Sequence, residues 1–203
     1  DPPVFGRLLG GDGAGHFAVR PAEQVHRTDR AYRSDTVTLL TTWHLDGGAE
    51  LELADAMVAE VEGRLLPGTV LVRTLTARAR PVRAHLDLVA RFGYERLPAR
   101  RVRHLAGAML LDDGPRIVAM TSNGTLPIPD ERVEVLVDPH HPLVLVVTVT
   151  RHHPAILVPP AAASAEAAAD EGRWRAWAGD IRIPGGAERY RDPLVRSLLT
   201  LSC

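Results

Sequence analysis

Lysine is absent from this chain of 203 residues, so arginine supplies the whole basic complement of 24 side chains against 25 acidic ones. The formal net charge of -1 leaves no basic excess of the kind a phosphate-binding surface displays, and a nucleic-acid partner is not expected. The absence of lysine reads as a coding bias toward arginine. The only cysteine is Cys203, the last residue, which excludes an intrachain disulfide. Aromatic residues are scarce too, at three each of Trp, Tyr and Phe. No apolar run approaches the roughly 18 residues of a membrane span. The longest, Pro142 to Thr150, is half that and β-branched. The start, Asp1-Pro2-Pro3-Val4-Phe5, has neither an initiator Met nor the basic-then-apolar order of a signal peptide, and a cytoplasmic protein whose beginning is missing is expected.

What is present is β structure. Thr36 to Leu45 is dense in β-branched, aromatic and aliphatic residues, Ala49 to Leu53 alternates apolar and acidic, and Asp46-Gly47-Gly48 between them tolerates positive φ. This is the strongest local signal in the chain, and it predicts a hairpin. Upstream, the run Gly10 to Gly15 reads as a turn because it precedes a strand-like segment, His16 to Pro21, rather than opening a phosphate-binding helix. Downstream, Gly63 to Pro67 reads as a turn. Thr69 to Arg80 reads as a strand with one wet face and a bulge where the alternation slips at Arg73-Thr74. Val82 to Phe92 has a similar alternation; a helix is possible there, but period two over that many residues favours a strand. Short strand patterns follow at Val102–Leu105, Ala108–Asp112, Arg116–Ser122, Arg132–Val137 and Leu143–Thr150, separated by Asp112-Asp113-Gly114-Pro115, Asn123-Gly124 and Asp138-Pro139. Many short strands with such punctuation predict a large antiparallel β-sandwich.

After Pro159-Pro160 the composition changes. Ala161 to Ala178 reads as a helix, with Trp174 and Trp177 three apart on a face expected to be buried. Asp192-Pro193 reads as an N-cap followed by Pro at the first helical position, and Leu194, Val195, Leu198, Leu199 and Leu201 form an apolar stripe. That helix reaches Cys203 with no stop signal, which predicts a polypeptide that continues.

Chemistry is harder to find. His140-His141 and His152-His153, with His44 or His104 as a third ligand, invite a zinc reading, but neighbouring residues on a strand face opposite ways and no Cys pair or H-E-x-x-H supports it. Ser34, His44 and Asp35 assemble a triad on paper only. Asp112-Asp113 and Asp170-Glu171 are accounted for by turn and helix roles. The expectation is therefore no catalytic residue, no metal ligand and no cofactor in this chain.

At the hairpin the pattern Tyr32-x-x-Asp35-Thr36-x-x-Leu39-x-Thr41-x-Trp43, the Asp46-Gly47 turn and Leu53-x-Asp55-x-Met57 resembles the N-terminal domain of bacterial and archaeal family 15 glycoside hydrolases, the glucoamylase-like enzymes that include glucodextranases and trehalases. Arg91-Phe92-Gly93-Tyr94, Trp174-x-x-Trp177 and Val195-Arg196-Ser197-Leu198-x-x-Leu201 extend the resemblance in the same order. Ala54, Ala56 and Val58 depart from it, standing where that family usually has Thr, Phe and Pro.

The resemblance implies a β-supersandwich over residues 1–158, a linker helix and loop over 159–191, and the first helix of an (α/α)6 catalytic barrel over 192–203. It also implies inverting hydrolysis of α-glucosidic bonds by two glutamates roughly 6.5 to 9.5 Å apart, both lying beyond Cys203. The partners so implied are the chain's own C-terminal barrel, an α-glucan or trehalose substrate of the parent enzyme, and further copies of this chain through an exposed barrel-facing surface. Two rivals remain: a stand-alone carbohydrate-binding or interaction sandwich, which would expose aromatics, and a sandwich enzyme with a site among the paired histidines.

Overall fold

A computed structural model describes residues 3–61, 64–93, 97–151, 154–184, 186 and 188–202. It is mainly β. A three-stranded sheet, in the order β1 (His16–Pro21), β6 (Val82–Val89), β10 (Arg132–Val137), packs on an eight-stranded sheet. The larger sheet runs β2 (Val25–Tyr32), β3 (Leu39–Leu45), β4 (Glu50–Val61), β5 (Arg64–Arg78), β11 (Leu143–Arg151), β9 (Arg116–Ser122), β8 (Ala108–Asp112), β7 (Arg101–Leu105). Every ladder is antiparallel. The α-helices among the described residues are a single turn, α1 (Arg7–Gly10), and near the end of the chain α2 (Pro160–Gly179) and α3 (Arg191–Ser202).

The period-two patterns become the inner faces of this sandwich. Leu51, Leu53, Leu75, Ala77 and Leu145 of the large sheet meet Val19, Val82, Ala84, Leu86 and Val137 of the small one. Toward the far end, Leu88, Phe92, Met109, Leu111, Val118 and Met120 form a second cluster. The outer face of the large sheet is covered in its middle by α2: Val58, Val70, Val72, Val144 and Val146 pack with Val158 and Ala163.

That second covered face explains the slip in β5. The register of β4 on β5 is unbroken from Glu50↔Arg78 to Val58↔Val70 and shifts only between Val58 and Glu60, so there is no bulge at Arg73-Thr74. Val70 and Val72 face α2, whereas Leu75 and Ala77 face the sandwich core. The apolar residues change sides while the strand stays regular. Arg73 lies on the inner face, 8% exposed, and is held there by Asp55 at 2.7 and 3.1 Å and by the carbonyl of Phe17 at 2.6 Å. A guanidinium is tolerated in such a place because its hydrogen bonds and its charge are both met.

Other local readings are corrected too. β5 begins at Arg64, so most of the segment Gly63 to Pro67 is strand, with Gly63 outside the described residues. Thr36 to Thr38 is turn rather than strand, and β3 starts at Leu39. α3 starts at Arg191, one residue before the expected cap. Of the two tryptophans, Trp174 is half-buried while Trp177 is 38% exposed, the rings meeting edge to face at 5.9 Å. Met57, the last residue of the hairpin pattern, is exposed.

Candidate functional site

The best-organised polar constellation is the turn joining β2 to β3. Arg33 N–H donates to the carbonyl of Thr38 and Thr36 N–H to that of Arg33, which closes the chain on itself. Asp35 sits at the tip with φ 55°, a conformation Asp adopts more readily than most residues. Thr36 is fully buried; its hydroxyl donates to the carbonyl of Arg33 at 2.9 Å and accepts from Thr38 N–H at 3.2 Å.

Both C-terminal helices close on this turn. From α2, Glu171 accepts from Arg33 at 2.6 Å and from Arg175 at 2.9 Å. From α3, Arg196 donates to the carbonyl of Thr36 at 2.8 Å, and its guanidinium lies 4.2 Å from the ring centre of Tyr32. Arg191 bridges Asp35 at 3.3 Å and the carbonyl of Ala178 at 3.4 Å. Beneath these polar contacts Val37, Trp174 and Ile181 pack on Ala178, Val195 and Leu199, and the Trp174 indole N–H is tied to Asp170 at 3.1 Å. The three motif residues Tyr32, Asp35 and Thr36 are thus the receiving surface for the helices.

Beside the turn, between α2 and the outer face of the large sheet, lies a cavity of about 420 Å³ lined in part by Arg33, Thr38, Glu52, Thr74, Asn123 and Glu171. Two carboxylates in one cavity raise the question of acid–base chemistry. Burial alone would raise the Glu171 carboxyl, but hydrogen bonds from Arg33, Thr38 and Arg175 outweigh it and hold the group below the usual carboxylate range. A general acid needs the opposite shift. Glu52 is ion-paired with Arg78 at 3.1 Å and lies 3.9 Å from Arg33. Glu171 is therefore a member of a structural ion pair and not a poised proton donor.

The histidine readings disperse. His44 lies between Asp29 at 2.8 Å and Glu50 at 3.0 Å at the end of β3 opposite Ser34 and Asp35, so the paper triad does not assemble. His140 and His141 belong to a turn organised by Asp138, whose carboxyl is lowered chiefly by the backbone N–H of His140. His104 is exposed on β7, and His152-His153 and Cys203 lie outside the described residues. Among the described residues no group of three His, Cys, Asp or Glu side chains is arranged to hold a metal ion.

A model of the family described as trehalase-like, N-terminal, matches residues 1–154. Comparison with curated proteins gave no match. Among solved structures, the chain named "Putative kojibiose phosphorylase from human microbiome" superposes with a TM-score of 0.42 at 6% sequence identity, covering 91% of this chain. The chain corresponds to 27% of the length of that protein.

Proposed function

Because the chain belongs to the trehalase-like N-terminal family, we propose that it is the non-catalytic N-terminal scaffold domain of an inverting α-glucoside hydrolase of the family 15 type. In this reading residues 1–158 form the brace, 159–191 link it to a helical catalytic domain, and α3 is the first helix of that domain. The catalytic carboxylates belong to the helical domain, and the α-glucan or trehalose substrate is met there.

The observation that carries this reading is the anchored turn. The leading hairpin's turn holds the helices: the pattern residues Thr36 and Asp35 contact α3, and Arg33, which lies between Tyr32 and Asp35, contacts α2. A domain whose task is to position a helical neighbour needs this arrangement and needs no nucleophile. α3 also keeps apolar side chains outward, with Leu194 39% and Leu201 83% exposed, as a helix does when it packs against further structure. The purified chain incubated with maltooligosaccharides or with trehalose is expected to release no glucose. Sustained release above a heat-denatured control would overturn the scaffold reading.

A further inference from the structure

The two sheets are unequal, and the smaller one stops short. β1 is its edge strand, and its Val19 packs in one cluster with Leu45 of β3 and Leu51 and Leu53 of β4, beside the β2–β3 hairpin. A cleft of about 360 Å³ opens there, walled by Val19 of β1 and floored by Arg30, Thr41, Trp43, Asp55 and Arg73. Register places the floor residues side by side, since Arg30 pairs with Thr41, Thr28 with Trp43, and Asp55 with Arg73.

We propose that this cleft is a carbohydrate subsite that takes one neutral pyranose unit. Trp43 packs on the core cluster and also lines the cleft, which presents a fixed aromatic surface to a ligand. Aromatic faces suit the C–H face of a sugar ring. The Asp55–Arg73 pair is bidentate, and Arg73 is further locked by the Phe17 carbonyl and by lying 4.7 Å from the Phe17 ring centre. Each Asp55 oxygen accepts one bond from Arg73 and has lone pairs to spare, so the carboxylate can still accept from vicinal hydroxyls. Arg30 is steadied by its Nε bond to the Thr41 hydroxyl at 3.3 Å, and its terminal amino groups have no partner among the described residues. The site thus offers an aromatic platform, an anchored acceptor and an anchored donor within one cleft of ligand-site size. Sugar hydroxyls both donate and accept, and so match this set. A simple anion would meet the Asp55 carboxylate head on. The subsite stands independently of whether the chain serves a hydrolase.

The test uses the full chain carrying Trp174→Phe and Trp177→Phe, which leaves Trp43 as the only indole. Titration with maltose or trehalose is expected to change its emission saturably in the millimolar range. By calorimetry on the otherwise unaltered chain, Trp43→Ala is expected to weaken sugar binding about tenfold, the worth of one aromatic contact. Arg30→Ala, at an exposed position, is expected to weaken it several-fold at unchanged melting temperature. No saturable response to either sugar, sugar binding undiminished in both variants, or a saturable response to inorganic phosphate alone would each overturn the proposal. Glucose release by the chain would sink the scaffold reading and leave the subsite untouched, so the two fail separately.

Discussion

Glu171 shows what a single residue contributes here. Its carboxyl is lowered in the folded chain because Arg33, Thr38 and Arg175 favour its charged form more strongly than burial opposes it. A depressed folded value stabilises the fold above the unfolded value of about 4.5 and is lost as pH falls through the folded value. Stability is therefore expected to drop on acidification below about pH 4.5, and Arg33→Ala should both remove part of that dependence and lower stability at neutral pH by about 1–3 kcal/mol, by leaving a buried acceptor short of a partner. Thermal melts of the two proteins across pH 3 to 7 check this; parallel curves would contradict it. Neither partner was legible as a pair in the sequence, because 138 positions separate them. Arg73 teaches the same lesson over a shorter span: its partner is 18 positions away on the neighbouring strand, and without it a buried arginine looks like a wet-face residue followed by a slip.

At the scale of elements, what was legible is what local chemistry alone determines. The hairpin of β3 and β4 was readable because Gly47 and Gly48 take φ of 67° and 73° between two strand-like runs. Strand β2 was not, since it is an edge strand exposed along its whole length and has no buried face to impose alternation. The glycines at two turns also predict differently. A Cβ on Gly47 would meet nothing within 4 Å, so Gly47→Ala is expected to cost about 1–2 kcal/mol, the penalty of a left-handed conformation alone. Gly15, with φ 86°, would bring its Cβ to 2.5 Å from the Val4 carbonyl and 2.9 Å from Arg91 N. Gly15→Ala is expected to cost clearly more, because it must part the N-terminal segment from the stretch after β6. Urea denaturation of the two variants decides it, and equal midpoints would show that space is irrelevant at Gly15.

For the whole molecule, the large sheet is used on both faces, by the small sheet within and by α2 without. The double use made β11 read as a nearly continuous apolar run and made the apolar residues of β5 change sides partway along it, and the sandwich was legible while the placement of the helices on it was not. The candidate site divides likewise. Its residues stood out as a motif, yet their role as a helix-docking turn depends on contacts from the other end of the chain. α3 keeps Leu194 and Leu201 exposed on an otherwise docked helix, and we propose that copies of the chain associate weakly through that face. Sedimentation velocity should show a concentration-dependent shift that Leu194→Glu with Leu201→Glu abolishes; a monomer at every concentration would refute it.

The contacts of the β2–β3 turn span 138, 156 and 160 positions, against 18 for the Asp55–Arg73 pair. Closing a loop about three doublings longer costs on the order of 2 kcal/mol more in chain entropy. The turn's own bonds join neighbours, Arg33 with Thr36 and Thr38, whereas the contacts that fill it come from the other end of the chain. During synthesis the hairpin leaves the ribosome before α2 and α3 do, so the seating of these helices can follow only once everything between has been made.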